Sequence, residues 1–269
     1  MSEPPVNDPL GPTVILPVSP PAAAGVSAAV SPGWYGKLPF LGDFASRRLP
    51  DGFMRAWDEW LQPGLAASRQ ASGEHWLELY LTFPVWRFVV PAGLIGDACW
   101  IGVLLPSVDR VGRCFPLTVC ESLPRSALED AGLIGVDLHL GAMADAGVAA
   151  LDATSVDAVE RTLTRLVPLA AAPGAATAGP SRLPLEAWLR RSPIDGGPGA
   201  WPLEAPVAAA LATAASRFVV ASLGERALWW SPADGAGTGG ALLLEPYPFS
   251  VRLLGKLIGT AGEQRVSNG

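Results

Sequence analysis

The chain has 269 residues, of which 49% are hydrophobic and 16% charged, with a formal charge of −6. That length and apolar content suffice for one large core, or one core with a smaller lobe packed on it. The acidic balance, with no run of Lys or Arg longer than two, excludes non-specific binding to phosphate backbones, so no nucleic acid partner is expected.

Residues 1–32 hold eight prolines and neither Lys nor Arg. Pro17, Pro20 and Pro21 break any apolar run a secretory signal would need, so the segment reads as a disordered tail of a cytoplasmic protein. A main domain is expected over 33–170. Within it, Trp34 and Tyr35 begin a short strand, and Gly36 to Pro50 is a breaker-rich loop. Asp51 is placed as the cap of a helix whose Phe53, Trp57, Trp60 and Leu61 form one stripe, with Pro63-Gly64 interrupting or kinking it. A second helix starts near Ser72 and sets Trp76, Leu77, Tyr80 and Leu81 on one side. Strands follow over Val85–Val90, Ala98–Leu105 and Phe115–Ser122, the last two joined by Pro106 to Arg113 at an antiparallel length. Helices are expected from about Val136 to Leu151 and from Ser155, as cap, to Val167. The apolar stretch Leu138 to Leu151 is too short and too polar to span a bilayer, and no membrane insertion is expected.

Residues 171–207 are rich in Ala, Pro and Gly and read as a flexible crossing with one brief helix around Leu185 to Arg190. A smaller group of elements over 208–260 is expected to pack on the main body, ahead of a short tail at 261–269. It comprises a hairpin of Arg217–Leu223 and Arg226–Ser231, a strand at Ala241–Glu245, and a closing helix over Phe249–Ile258. Together these elements give an α/β layered sandwich: a central mixed, largely antiparallel sheet flanked by helices in a single globular body.

Signals for chemistry are few. Gly235 to Gly240 fits a G-x-G-x-x-G pattern, but an apolar strand-like run follows where a phosphate site needs a helix N-terminus. Gly36-Lys37 resembles the end of a P-loop, yet Leu38 replaces the metal-binding hydroxyl. Cys99, Cys114, Cys120, His75 and His139 show no metal-ligand spacing, and a Cys114–His75 pair is better read as packing; no metal and no cofactor are expected. Trp57, Trp60 and Trp76 are placed in the core rather than around a ligand. Of the neighbours Trp229 and Trp230, one should face outward or toward a second lobe. The strongest unexplained feature is charge in turns: Asp43, Asp97 and Asp109 beside Arg47, Arg48, Arg110 and Arg113. Such residues either staple loops internally or present a partner-binding patch.

Three segments carry most of that charge: Gly36 to Pro50, Pro84-Val85-Trp86-Arg87-Phe88, and Pro106-Ser107-Val108-Asp109-Arg110-Val111-Gly112-Arg113. In this order they resemble the TagF (ImpM) family, accessory proteins of bacterial type VI secretion, and Leu228-Trp229-Trp230-Ser231 is similar to the family's later Trp-Trp segment. The resemblance implies a non-catalytic repressor that acts after translation and binds a forkhead-associated scaffold protein. Some relatives are fused to a serine/threonine phosphatase, an activity not carried over to this chain. Asp43, Arg47, Arg48, Asp109, Arg110 and Arg113 are then the candidate partner-binding residues. The alternative is a small-molecule- or nucleotide-dependent enzyme whose site is assembled from the same Asp/Arg loops.

Overall fold

The computed structural model describes residues 31–171, 207–232 and 240–266. Strands form where apolar side chains alternate between two faces: β1 (Gly33–Gly36), β2 (Ala45–Arg47), β3 (Trp86–Val90), β4 (Cys99–Leu105), β5 (Leu117–Leu123), β6 (Arg226–Ser231) and β7 (Ala241–Pro246). They make one seven-stranded sheet in the order β2-β1-β5-β4-β3-β6-β7, and every pairing is antiparallel. The layered α/β expectation is met, and β6 sits directly beside β3.

Helix α1 (Asp51–Ser72) and the short α2 (Trp76–Thr82) cover one face of the sheet. Phe53, Trp57, Trp60 and Leu61 form the buried stripe expected from their spacing. Asp51 is not the cap: the helix starts at Asp51 after Pro50, and Asp51 faces the positive end of the helix dipole instead. Nor does Pro63 break the helix. It lies on the exposed side, where water can take up the carbonyl that lost its N–H partner. A 3-10 turn over Gly73–His75 delays α2, so Trp76 and Tyr80 are buried while Leu77 and Leu81 point outward.

The opposite face carries α3 (Arg125–Leu151) and α4 (Val156–Leu163). α3 starts well before Val136, and its first turns are set off by Gly132, whose φ of +61° breaks the helical path. By length and composition alone α3 could cross a membrane, contrary to the reading of the shorter stretch. Here it lies against β4 and β5, with Val136, Leu140 and Met143 fully buried. Ser155 caps α4 as expected, its hydroxyl accepting the Ala158 N–H at 3.2 Å.

The segment Arg217–Leu223 is not a strand. It belongs largely to α5 (Val207–Ala221), which packs on α3 and buries Ser216 and Val220. The Ala-rich run before it carries helical structure through the β-branched Val219 and Val220, overriding their local preference. β6 pairs instead with β7, as Leu228↔Leu244 and Trp230↔Leu242. α6 (Val251–Val266) then returns to pack against α1.

Trp229 and Trp230 do face opposite sides, but both are buried. Trp229 stacks with Trp57 at 5.8 Å between centroids, and Trp230 donates its indole N–H to Asp137 on α3 at 2.6 Å. The tail at 1–30, most of the Ala/Pro/Gly crossing and Gly235 to Gly239 lie outside the described residues.

Candidate functional site

Because β1 and β4 both pair with β5, the β1–β2 and β4–β5 connections emerge side by side at one end of the sheet. They are tied by backbone and side chain alike. The Arg110 N–H donates to the Leu41 carbonyl at 2.8 Å, and the Ser107 hydroxyl to the Lys37 carbonyl at 2.7 Å. Arg113 reaches the Gly42 carbonyl through its guanidinium. From beneath, Tyr80 of α2 donates its hydroxyl proton to the Ser107 carbonyl at 2.7 Å and accepts the Ser107 N–H at 3.2 Å.

At the centre lies Asp109, whose side chain is fully buried. One carboxylate oxygen accepts the Val111 and Arg113 N–H groups at 3.0 and 2.9 Å. The other meets the Lys37 ammonium at 3.0 Å and Arg113 Nε at 2.6 Å. Lys37 is as buried as its partner and also lies 4.8 Å from the centre of the Phe44 ring. Burial alone raises the Asp109 carboxyl, but the Arg113 N–H, Lys37 and the Arg113 side chain outweigh it and hold it below the usual carboxylate range. For Lys37, burial dominates and lowers the ammonium below its ordinary value despite Asp109. The carboxylate is thus firmly ionised, whereas the ammonium is kept there at a desolvation cost.

Above this anchor the chain makes a tight hairpin. Val108 and Cys114 form an antiparallel bridge, and the Gly112 N–H closes back on the Asp109 carbonyl at 2.9 Å. Gly112 has a φ of +83°, a turn position where a side chain would be strained. Arg110, Val111 and Gly112 are exposed at the apex.

A second cluster lies beside β2. Arg48 adopts a left-handed backbone with φ 59° and sends its guanidinium to the Pro32 carbonyl and the Glu160 carboxylate on α4. The Trp34 indole N–H donates to the same carboxylate at 2.7 Å. Burial raises the Glu160 carboxyl, but Arg48 and Trp34 more than offset it and leave it below the usual range.

The fold and the three charged segments meet their counterpart in sequence comparison: residues 33–191 match the TagF N-terminal domain, type VI secretion system-associated. The chain belongs to the TagF family. A crystal structure of PA0076 from Pseudomonas aeruginosa PAO1 superposes with a TM-score of 0.61 at 31% identity, covering 85% of this chain and 94% of that one. No curated protein matches. The TagF match takes in both clusters, and the likeness to PA0076 covers a larger share of the chain than that match alone.

The candidate residues therefore divide in this TagF chain. Asp43, Asp109, Arg110 and Arg113 come together at the double loop; Arg47 and Arg48 turn toward α4; Asp97 stands in the exposed β3–β4 turn at the other end of the sheet. Asp109 is corrected from partner-binding residue to internal staple, because no face of its carboxylate reaches solvent. Arg48 is likewise occupied. Arg113 is partly exposed but holds Asp109 and Gly42, and Asp43 uses one oxygen to accept the Phe44 N–H at 2.8 Å. Of the six, Arg110 is the one that is exposed; Asp43, Arg47, Arg48 and Arg113 are half-buried and Asp109 is buried.

Lys37, Tyr80, Ser107 and Glu160 were missed by sequence reasoning. The signal for Lys37 is its place after Gly36 in a loop dense with breakers, and Ser107 lies within the Pro106–Arg113 segment; nothing local marks Tyr80 or Glu160. A cleft of about 440 Å³ opens between β5 and the Pro168–Ala171 stretch, with Arg48, Glu121 and Trp100 on its walls. Arg48 is engaged there with Glu160; Glu121 accepts the Leu169 N–H through Oε1 at 2.9 Å, with His139 Nε2 at 3.0 Å from the same oxygen, while its buried Oε2 has no hydrogen-bond partner among the described residues.

Proposed function

We propose that this TagF protein is a non-catalytic, cytoplasmic regulator that restrains type VI secretion after translation by occupying an assembly component, the expected partner being the forkhead-associated scaffold. Association with type VI secretion follows from the family. The observation that carries the rest is the double loop, where the buried Lys37–Asp109 pair, joined by the partly exposed Arg113, holds an exposed turn in one geometry while its ionised groups are paired with one another. Such an arrangement suits docking, because a rigid loop loses little freedom on binding. It suits general acid–base work poorly, since neither Asp109 nor Lys37 can reach a substrate proton.

Occupancy makes a quantitative demand. Repression must follow mass action and rise with the ratio of this protein to its partner. In a secreting strain, expression is graded while both proteins are quantified and effector release is measured. A titration that saturates near equal copy numbers supports the reading. Full repression by a small fraction of the partner's copy number contradicts occupancy and points to turnover.

A further inference from the structure

The apex of the double loop has a chemistry of its own. Val111 is 68% exposed, at the tip of a turn whose other parts are all held in place. Its own N–H is bound to Asp109, the residue before it to Leu41, and the residue after it to the Asp109 carbonyl. A single exposed apolar residue is ordinary on a protein surface. What sets Val111 apart is the machinery beneath it. A buried ion pair is no net gain in stability over apolar packing, so the Lys37–Asp109–Arg113 unit is not explained by core formation. Its evident effect is to fix where Val111 points.

Valine is also suited to the position, because a β-branched side chain is stiff at χ1 and has little freedom to lose on docking. Beside it, the Arg110 guanidinium leans over Gly42, where an added Cβ would lie 3.5 Å from Nη2. Three cations (Lys37, Arg110 and Arg113) and two carboxylates (Asp43 and Asp109) make up the double loop. It is therefore a locally positive point on a chain of formal charge −6. A single excess charge is too little for a phosphate backbone, and one valine too little apolar area for a membrane surface.

Resting on the binding function proposed above, we infer that Val111 is the anchor of the regulatory interface and that the partner protein offers a small apolar pocket with carboxylates at its rim. Val111 enters the pocket, and Arg110 meets the acidic rim. Asp109, Lys37 and Arg113 are positioning residues that never touch the partner's pocket.

The test uses the full chain in two assays: repression of secretion in cells at matched abundance, and affinity for the purified forkhead-associated scaffold of the same secretion cluster. The variants are Val111→Ala, Arg110→Glu and, as a control on another exposed apolar residue, Leu138→Ala, with Leu138 73% exposed on α3. Truncating an interface anchor is expected to weaken binding about tenfold or more, and reversing the rim charge to do the same and to flatten the dependence on salt. Thermal melting should not move for any of the three. Loss of repression with Val111→Ala and Arg110→Glu, and not with Leu138→Ala, supports the inference. Wild-type repression by both loop variants overturns it, whatever the partner is. If the loop variants lose repression while the wild-type chain shows no affinity for the scaffold, Val111 stands as the anchor and only the scaffold is removed as partner. Graded-expression data that contradict occupancy remove the functional reading separately.

Discussion

Replacing Asp109 with alanine takes away the carboxylate that four donors share: the Lys37 ammonium, Arg113 Nε and the N–H groups of Val111 and Arg113. The Lys37 side chain is 1% exposed, so its charge would be left with neither a counterion nor water. Stranding one half of a buried ion pair costs about 3–5 kcal/mol. The two amides lie near the surface and can rehydrate, so they add little, and a loss of about 4 kcal/mol is expected. At this chain length that lowers the melting temperature by on the order of 10 °C. Urea unfolding followed by tryptophan fluorescence reads the change directly, since Trp57, Trp86 and Trp229 are fully buried. A second substitution isolates the cause. Lys37→Met in the Asp109→Ala background removes the stranded charge and should recover roughly half the loss or more, because an apolar pair in such a site is close to neutral. A single-variant loss under about 1 kcal/mol, or no recovery in the double variant, would refute the claim that this pair is buried and mutually dependent.

Gly132→Ala should destabilise by about 1–3 kcal/mol, since φ is +61° and the new Cβ would lie 2.5 Å from Ser216 Oγ; adding Ser216→Ala should relieve the clash and leave the backbone part, as thermal melts of both would report. Acid should weaken the fold through Asp109 and Glu160. Both carboxyls are held below their ordinary values when folded, so the unfolded chain takes up protons first as pH falls. Their contribution is complete above about pH 5 and is lost progressively below about pH 4, and urea midpoints across that range should decline accordingly, less so in Glu160→Gln.

Much of the architecture is legible in the sequence because burial writes a period. Phe53, Trp57, Trp60 and Leu61 recur at helical spacing, and β3 to β5 are β-branched runs bounded by turns. The signal fails where one element overrides another. Arg217 to Leu223 has strand-like composition, but a longer Ala-rich helix runs into it; the start of α3 is hidden because Gly132 interrupts its period. At the double loop, the sequence marks where charge and turns coincide but not which charge is inside. Asp109 and Arg110 are neighbours in the chain, and one is sealed while the other is exposed. That difference is decided by Lys37, which reaches the site only because β1 pairs with β5. Alternation on β6 correctly turns Trp229 and Trp230 to opposite faces, but α3 supplies the Asp137 that lets Trp230 stay buried.

The place of β6 in the sheet has a bearing on how the chain is made. During synthesis β3 emerges long before β6, and until residue 231 has left the ribosome its outer edge has no strand beside it. The same delay leaves Trp57, Trp60 and Phe88 without Trp229 and Phe249, which close over them last. A nascent chain halted at the end of the TagF match would therefore display an aromatic surface and a bare β-edge, both invitations to aggregation. Chaperone demand should peak during this interval and fall once the C-terminal hairpin docks. The segment that defines the family in sequence is, in folding, the half that waits.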